Sequence, residues 1–92
     1  MKTFEYTSAT EMIISESGSL QEFYRLTNVL SKTRHVHFKT KEDDAEGMEW
    51  WFSYRGNQLA LQYNIYNGVT LIFNEKDSKT ANKIAVRLRE VQ

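Results

Sequence analysis

Two histidines, His35 and His37, stand two positions apart in a segment of alternating polarity. Side chains at i and i+2 of a β-strand point to the same side, so both imidazoles could ligate one metal ion. A zinc site needs three or four ligands, and Glu49 is the further candidate that the expected strand pairing brings near. Two histidines on the solvent side of a strand are more commonly plain polar surface, so we predict no metal site and no cofactor.

Groups for acid–base or nucleophilic chemistry are few. His37, Glu49 and Ser53 could meet on one face of a sheet, but an open sheet surface neither excludes water nor forms a pocket. The sequence contains no glycine-rich phosphate loop, no nucleophile elbow, no histidine–glutamate zinc motif and no cysteine. We therefore predict a protein that is not an enzyme.

An acidic cluster lies in the loop over residues 41–47, at Glu42, Asp43, Asp44 and Glu46. A calcium-binding loop spaces its oxygen ligands at regular offsets around a glycine, and this cluster lacks that spacing. We interpret it as a solvated hairpin loop.

The adjacent tryptophans Trp50 and Trp51 are the main signal for a binding surface. Neighbouring side chains of a strand point to opposite faces, so if Trp50 belongs to the core, Trp51 lies on the outer face of the sheet. The hairpin registers expected from the sequence place Trp51 opposite both His37 and Gln62, and Gln62 opposite Ile72. Because tryptophan is enriched in interface hot spots, we predict an open protein-binding band across the sheet.

Several alternatives stay open for this band. Trp51 could be covered by the N-terminal segment, by a second copy of the chain or by a different protein, and single exposed apolar residues are common on surfaces. An aromatic sheet face can also stack nucleic-acid bases, with Lys39 and Arg55 as nearby cations. We expect a protein partner or a homo-oligomer.

A second candidate surface is the basic face of the C-terminal helix, where Lys76, Lys79, Lys83 and Arg87 recur at helical spacing. These side chains could meet phosphates or an acidic protein. The 12 basic and 12 acidic residues of the chain cancel, and exposed helix faces are commonly charged. Nucleic-acid binding through this face is therefore the alternative function.

The composition limits the class of protein that carries these residues. The chain has 92 residues, of which 40% are hydrophobic and 13% aromatic, and this composition argues against disorder and for one core. No segment approaches the roughly 20 apolar residues of a membrane span, and the N-terminal residues lack a signal-peptide pattern. We expect a single α+β domain over residues 1–92 that is soluble, cytoplasmic and without membrane contact.

Hydrophobic periodicity predicts five or six strands and two helices in the order β(β)αββββα. The expected strands cover residues 3–7, 11–15, 34–40, 48–55, 59–65 and the segment after residue 68. The first two of these could be one bent strand. With a mainly antiparallel sheet and both helices on one face, the chain would form a two-layer α+β sandwich.

The first helix is predicted over residues 17–33, with a capping box formed by Ser19 and Glu22. Its apolar stripe consists of Leu20, Phe23, Leu26 and Leu30, with Tyr24 at the edge. The second helix, over residues 77–91, begins at Asp77 or Ser78. It would bury Ala81, Ile84, Ala85, Leu88 and Val91. The predicted core includes Trp50, Phe52, Leu61 and Leu88.

Two tight turns set the expected strand registers. Gly56-Asn57 is typical of a type II′ turn, which would place Tyr54 opposite Leu59 and Phe52 opposite Leu61.

The next turn contains Asn67-Gly68. A two-residue turn there would mix polar and apolar faces, so we predict a three-residue loop ending in a left-handed Gly68. That register would place Tyr63 opposite Leu71.

Overall fold

The computed structural model describes residues 9–43 and 47–90, which form a five-stranded sheet and two α-helices. The strands are β1 (Ala9–Ser15), β2 (Val36–Asp43), β3 (Gly47–Tyr54), β4 (Asn57–Asn64) and β5 (Gly68–Asn74), and the helices are α1 (Leu20–Ser31) and α2 (Ser78–Glu90). A turn of 3-10 helix over Glu75–Asp77 precedes α2. The predicted α+β class and element order are confirmed. The strand predicted over residues 3–7 lies outside the described residues.

The sheet is antiparallel throughout, with the strand order β1-β5-β4-β3-β2. Strands β2 to β5 follow one another as a meander, and β1 pairs with β5. Within residues 9–43 and 47–90, the two edges of the sheet are therefore β1 and β2.

One hydrophobic cluster joins both helices to side chains of the sheet. The helices contribute Phe23, Leu26 and Leu30 from α1, and Ala81, Ile84, Ala85 and Leu88 from α2. Phe52, Leu61 and Leu88 are fully buried, as predicted. Val91, the last residue of the stripe predicted for α2, lies outside the described residues. Leu20 differs from the prediction, because it is the first residue of α1 and is 41% exposed.

The serine half of the predicted capping box is present at the start of α1. Ser19 has an extended backbone, and its Oγ accepts a hydrogen bond from the Gln21 backbone N–H at 3.2 Å. This bond satisfies one of the donors that a helix leaves open in its first turn. Glu22, the other residue of the predicted capping box, forms an ion pair with Arg25 one turn later, with an N–O distance of 2.8 Å.

The β3–β4 hairpin has a different turn from the one predicted. Arg55 and Gly56, both with positive φ (53° and 87°), form the two-residue loop, and Tyr54 pairs with Asn57. Two successive positive φ values are the hallmark of a type I′ turn. Phe52 therefore lies opposite Leu59, two positions from the predicted partner. Because side-chain direction repeats every two residues, the predicted faces are kept.

The β4–β5 hairpin confirms the left-handed Gly68, whose φ is 84°. Three residues, 65–67, separate the paired residues Asn64 and Gly68. The predicted pairing of Tyr63 with Leu71 is wrong, since Tyr63 pairs with Val69, again a shift of two that preserves the faces.

The β2–β3 hairpin contains a β-bulge at Lys39. Phe38 pairs with Phe52, but the next pair is Thr40 with Trp51, followed by Lys41 with Trp50. The extra residue reverses the alternation of β2, so Phe38 and Lys41 lie on the same face of the sheet despite their odd spacing.

The opposite edge strand also contains a bulge. The pairing of β1 with β5 is interrupted between Ile13 and Ser15, where Ile14 points into the core. Arg89 of α2 donates a hydrogen bond from Nη2 to the Ile13 carbonyl oxygen at 2.8 Å. The end of α2 is thereby attached to this edge of the sheet.

Candidate interaction surface

The outer face around Trp51 is closed, contrary to prediction. Trp51 is only 6% exposed and Ile72 only 5%, and the two form a small buried cluster with Ala60. Ala60 pairs with Trp51 on one side and with Ile72 on the other, in the position predicted for Gln62. Ala60 takes the place of Gln62 because both hairpin registers are shifted by two residues. Trp51 and Ile72 are thus brought together, but not as an open surface.

Gln62 reaches Trp51 through a shared carboxylate. Glu49 accepts a hydrogen bond from Trp51 Nε1 at 2.7 Å and another from Gln62 Nε2 at 3.2 Å. Gln62 lies directly opposite Glu49 on the neighbouring strand. The indole nitrogen, the amide and the carboxylate therefore satisfy one another within the sheet.

His37 is not part of this group. It is exposed and pairs with Ser53 rather than with Trp51, because the pairing of β2 with β3 already begins at Asp43 and Met48, in a different register from the predicted one. The same predicted register places Lys39 opposite Glu49, but the residue of β2 that pairs with Glu49 is Glu42. Within residues 9–43 and 47–90, no three histidine or acidic side chains come together in a metal-binding arrangement.

The basic face of α2 is exposed at Lys79, Lys83 and Arg87. Arg87 is partly engaged, because its Nε donates a hydrogen bond to Thr33 Oγ1 at 2.9 Å and links α2 to the end of α1. Thr33 in turn donates to the Val29 carbonyl oxygen at 2.8 Å. Lys79 and Lys83 of this face are exposed on α2.

Trp50, predicted as core, is only partly buried and forms the centre of a second aromatic group. Its ring packs edge-on against Phe23 at 5.3 Å between centroids, and lies 6.0 Å from Tyr24 and 5.9 Å from Phe38. Tyr24 is 44% exposed and Phe38 is partly exposed. Trp50 therefore lies on the core face, as predicted, but is only partly buried, whereas Trp51 on the outer face is buried.

Lys41 completes this group. Its Nζ lies over the Trp50 ring at 4.3 Å from the centroid and over the Phe38 ring at 5.6 Å. Both distances are within the range of cation–π attraction. We call Tyr24, Phe38, Trp50 and Lys41 the aromatic edge, since Phe38 and Lys41 belong to the edge strand β2.

Further exposed apolar side chains border the start of α1. Leu20 precedes Tyr24 by one helical turn. The loop after β4 presents Ile65 and Tyr66, the latter 73% exposed. This loop lies against Gly18, because a Cβ added at Gly18 would be 3.0 Å from the Ile65 carbonyl oxygen. The apolar surface at this end of the molecule therefore extends beyond the aromatic edge.

Part of the aromatic edge is predictable from the sequence. Tyr24 lies at the margin of the apolar stripe of α1, and a residue at such a margin is a candidate for partial exposure. The sequence does not indicate that Lys41 and Phe38 share a face, because regular alternation in β2 places them on opposite faces.

The chain matches no protein-family model, no curated protein and no solved structure. Neither helix in the described part of the chain is long and apolar enough to cross a lipid bilayer.

Proposed function

We propose that this chain is a small non-enzymatic protein-binding module that makes its contact through the aromatic edge. The observation that carries the proposal is the partly exposed Trp50 beside the 44% exposed Tyr24. Aromatic side chains are enriched in the centres of protein interfaces, where they dominate the binding energy. The outer face around Trp51, the surface favoured by the sequence, is less suited to binding because Trp51 and Ile72 are already buried.

The Tyr24 ring leaves part of its apolar area in contact with water. Burying a large apolar side chain stabilises by about 1.5–3 kcal/mol, and an exposed ring forgoes part of that. Tyr24 packs against Phe23 and Trp50, so its ring is held in place before any partner arrives. A fixed ring loses little conformational entropy on binding, which favours a hot spot at this position.

The test replaces Tyr24 by glutamine, which keeps a helix-forming side chain and removes the ring. Val86→Gln is the matched control, since Val86 is an exposed apolar residue of the other helix. Wild type and both variants are used for quantitative capture from a source lysate and for sedimentation velocity. We expect Tyr24→Gln to weaken partner capture, or dimer formation, by about tenfold or more. Undiminished binding by Tyr24→Gln, or equal losses in both variants, contradicts the proposal.

The alternative function is nucleic-acid binding through α2, favoured by the exposed Lys79 and Lys83. Lysine–phosphate contacts release counterions, so such binding weakens steeply as salt is added. Contacts centred on aromatic rings depend much less on salt, which separates the two functions in the same capture experiment. A cytoplasmic location belongs to the proposal as well.

A further inference from the structure

Two rings of the aromatic edge form a corner that holds a cation. The Phe38 and Trp50 ring planes meet at 89°, with their centroids 5.9 Å apart. The Lys41 ammonium lies over both faces, 4.3 Å from the Trp50 centroid and 5.6 Å from that of Phe38. We call these two ring faces and the space that the ammonium fills the cation corner.

The polarity of the surroundings suits a positive charge. The ring faces carry the negative part of the aromatic quadrupole, which attracts ammonium groups. Trp50 Nε1 donates to Asp43 Oδ1 at 3.4 Å, so a carboxylate lies at the rim of the same indole. Faces and carboxylate together attract any ammonium group that reaches the corner.

Lys41 fills the corner without being locked into it. Its side chain is exposed and it lies on the edge strand β2, outside the packed core. A flexible lysine at an exposed site gains little from a cation–π contact, so thermal motion vacates the corner for part of the time.

We propose that the cation corner is a binding site for the lysine ammonium of a protein partner, and that Lys41 fills it in the free protein. Lys41 indicates the class of ligand, because the group found in the corner is itself a primary ammonium. This inference rests on the proposed function, since the partner docks at the aromatic edge. Tyr24, exposed beside Trp50, would contact the chain that carries the incoming lysine.

Competition with Lys41 sets the size of the expected effect. The affinity of a site that is open only part of the time is reduced by the open fraction. An exposed cation–π contact of ordinary strength keeps the corner closed most of the time, so removing Lys41 should raise ligand affinity about three- to sixfold.

The experiment titrates Nα-acetyl-lysine methylamide into wild type, Lys41→Ala and the control Lys39→Ala, while NMR follows the indole N–H signals. Trp50 reports on the corner, and Trp51, buried on the other face, is the internal reference. A second titration uses the same probe with its ε-amine acetylated, which removes the charge. We expect the Trp50 signal alone to move, with Lys41→Ala saturating at least about threefold earlier than wild type and Lys39→Ala unchanged.

Equal affinities of wild type and Lys41→Ala, no shift at Trp50, or an equal response to the neutral probe would each overturn the inference. The titration needs no partner, so its outcome is independent of the capture experiment with Tyr24→Gln. If the corner binds the charged probe selectively but Tyr24→Gln captures partners as well as wild type does, the proposed function is overturned and the cation corner is not.

Discussion

At the scale of single residues, the two adjacent tryptophans show that the face of the sheet does not by itself decide burial. Trp51 is 6% exposed, lies in one buried cluster with Ala60 and Ile72, and donates its indole N–H to Glu49. Trp50 faces the helices, yet α1 leaves part of its ring open beside Tyr24. Position in the alternation assigns a face, but packing decides exposure.

Fluorescence of single-tryptophan variants should show directly that Trp50 is more exposed than Trp51. In Trp50→Phe the remaining Trp51 should emit at short wavelength and resist iodide, because it is only 6% exposed. In Trp51→Phe the remaining Trp50 should emit at longer wavelength and be quenched more readily. Circular dichroism confirms that both variants are folded before they are compared. A Trp51 that is red-shifted and freely quenched in dilute solution would contradict the closed outer face.

At the scale of elements, the sequence predicts faces better than registers. Both hairpins from β3 to β5 differ from the expected pairing by two positions, and a two-position shift is invisible to a period-two pattern. Helix α1 was predictable because Ser19 and the apolar stripe agree. The bulge at Lys39 was not, since lysine in a strand carries no signal of irregular pairing. The aromatic edge depends on that bulge, so only its Tyr24 component was accessible from sequence.

The two glycines of the hairpin turns separate backbone strain from close packing. Gly56 and Gly68 both have positive φ, but a Cβ at Gly56 meets nothing within 4 Å, whereas one at Gly68 would clash with the Ser15 carbonyl oxygen. We expect Gly56→Ala to lower the free energy of unfolding by about 1–2 kcal/mol, from the left-handed backbone alone. Gly68→Ala should lower the free energy of unfolding by about 1–3 kcal/mol more, because the added Cβ forces the end of β1 to move.

Urea unfolding of wild type and both alanine variants measures the difference. Equal losses would mean that the approach of the β4–β5 hairpin to the end of β1 has no energetic consequence.

At the scale of the whole molecule, the net charge of zero gives copies of the chain no mutual repulsion. Among the strands that the structure describes, β1 and β2 are the outermost, and unpaired strand edges are templates for pairing with another chain. Both edge strands contain a bulge, and Arg89 binds a carbonyl of β1. Local features therefore protect the edges where overall charge does not.

Arg89→Ala tests that protection, with Lys83→Ala as a control that removes the same charge from the same helix. Losing the bond to the Ile13 carbonyl oxygen leaves an acceptor on the edge strand β1 available to another chain. We expect faster growth of light scattering for Arg89→Ala on incubation at high concentration, with Lys83→Ala close to wild type. Indistinguishable curves for the two variants would assign the effect to charge rather than to the edge.

The bulge at Lys39 has a consequence for chain length. Since this one residue is surplus to the pairing of β2 with β3, deleting it should rejoin Phe38 and Thr40 in an unbroken ladder. Every later residue of β2 would keep its partner, and Lys41 would remain beside Trp50. Deleting one residue from a strand ordinarily turns every following side chain to the opposite face. Here the deletion leaves all side chains on their present faces. The deletion would remove only the bulge that makes this edge a poor template, so we expect the shortened chain to self-associate more readily than the wild type.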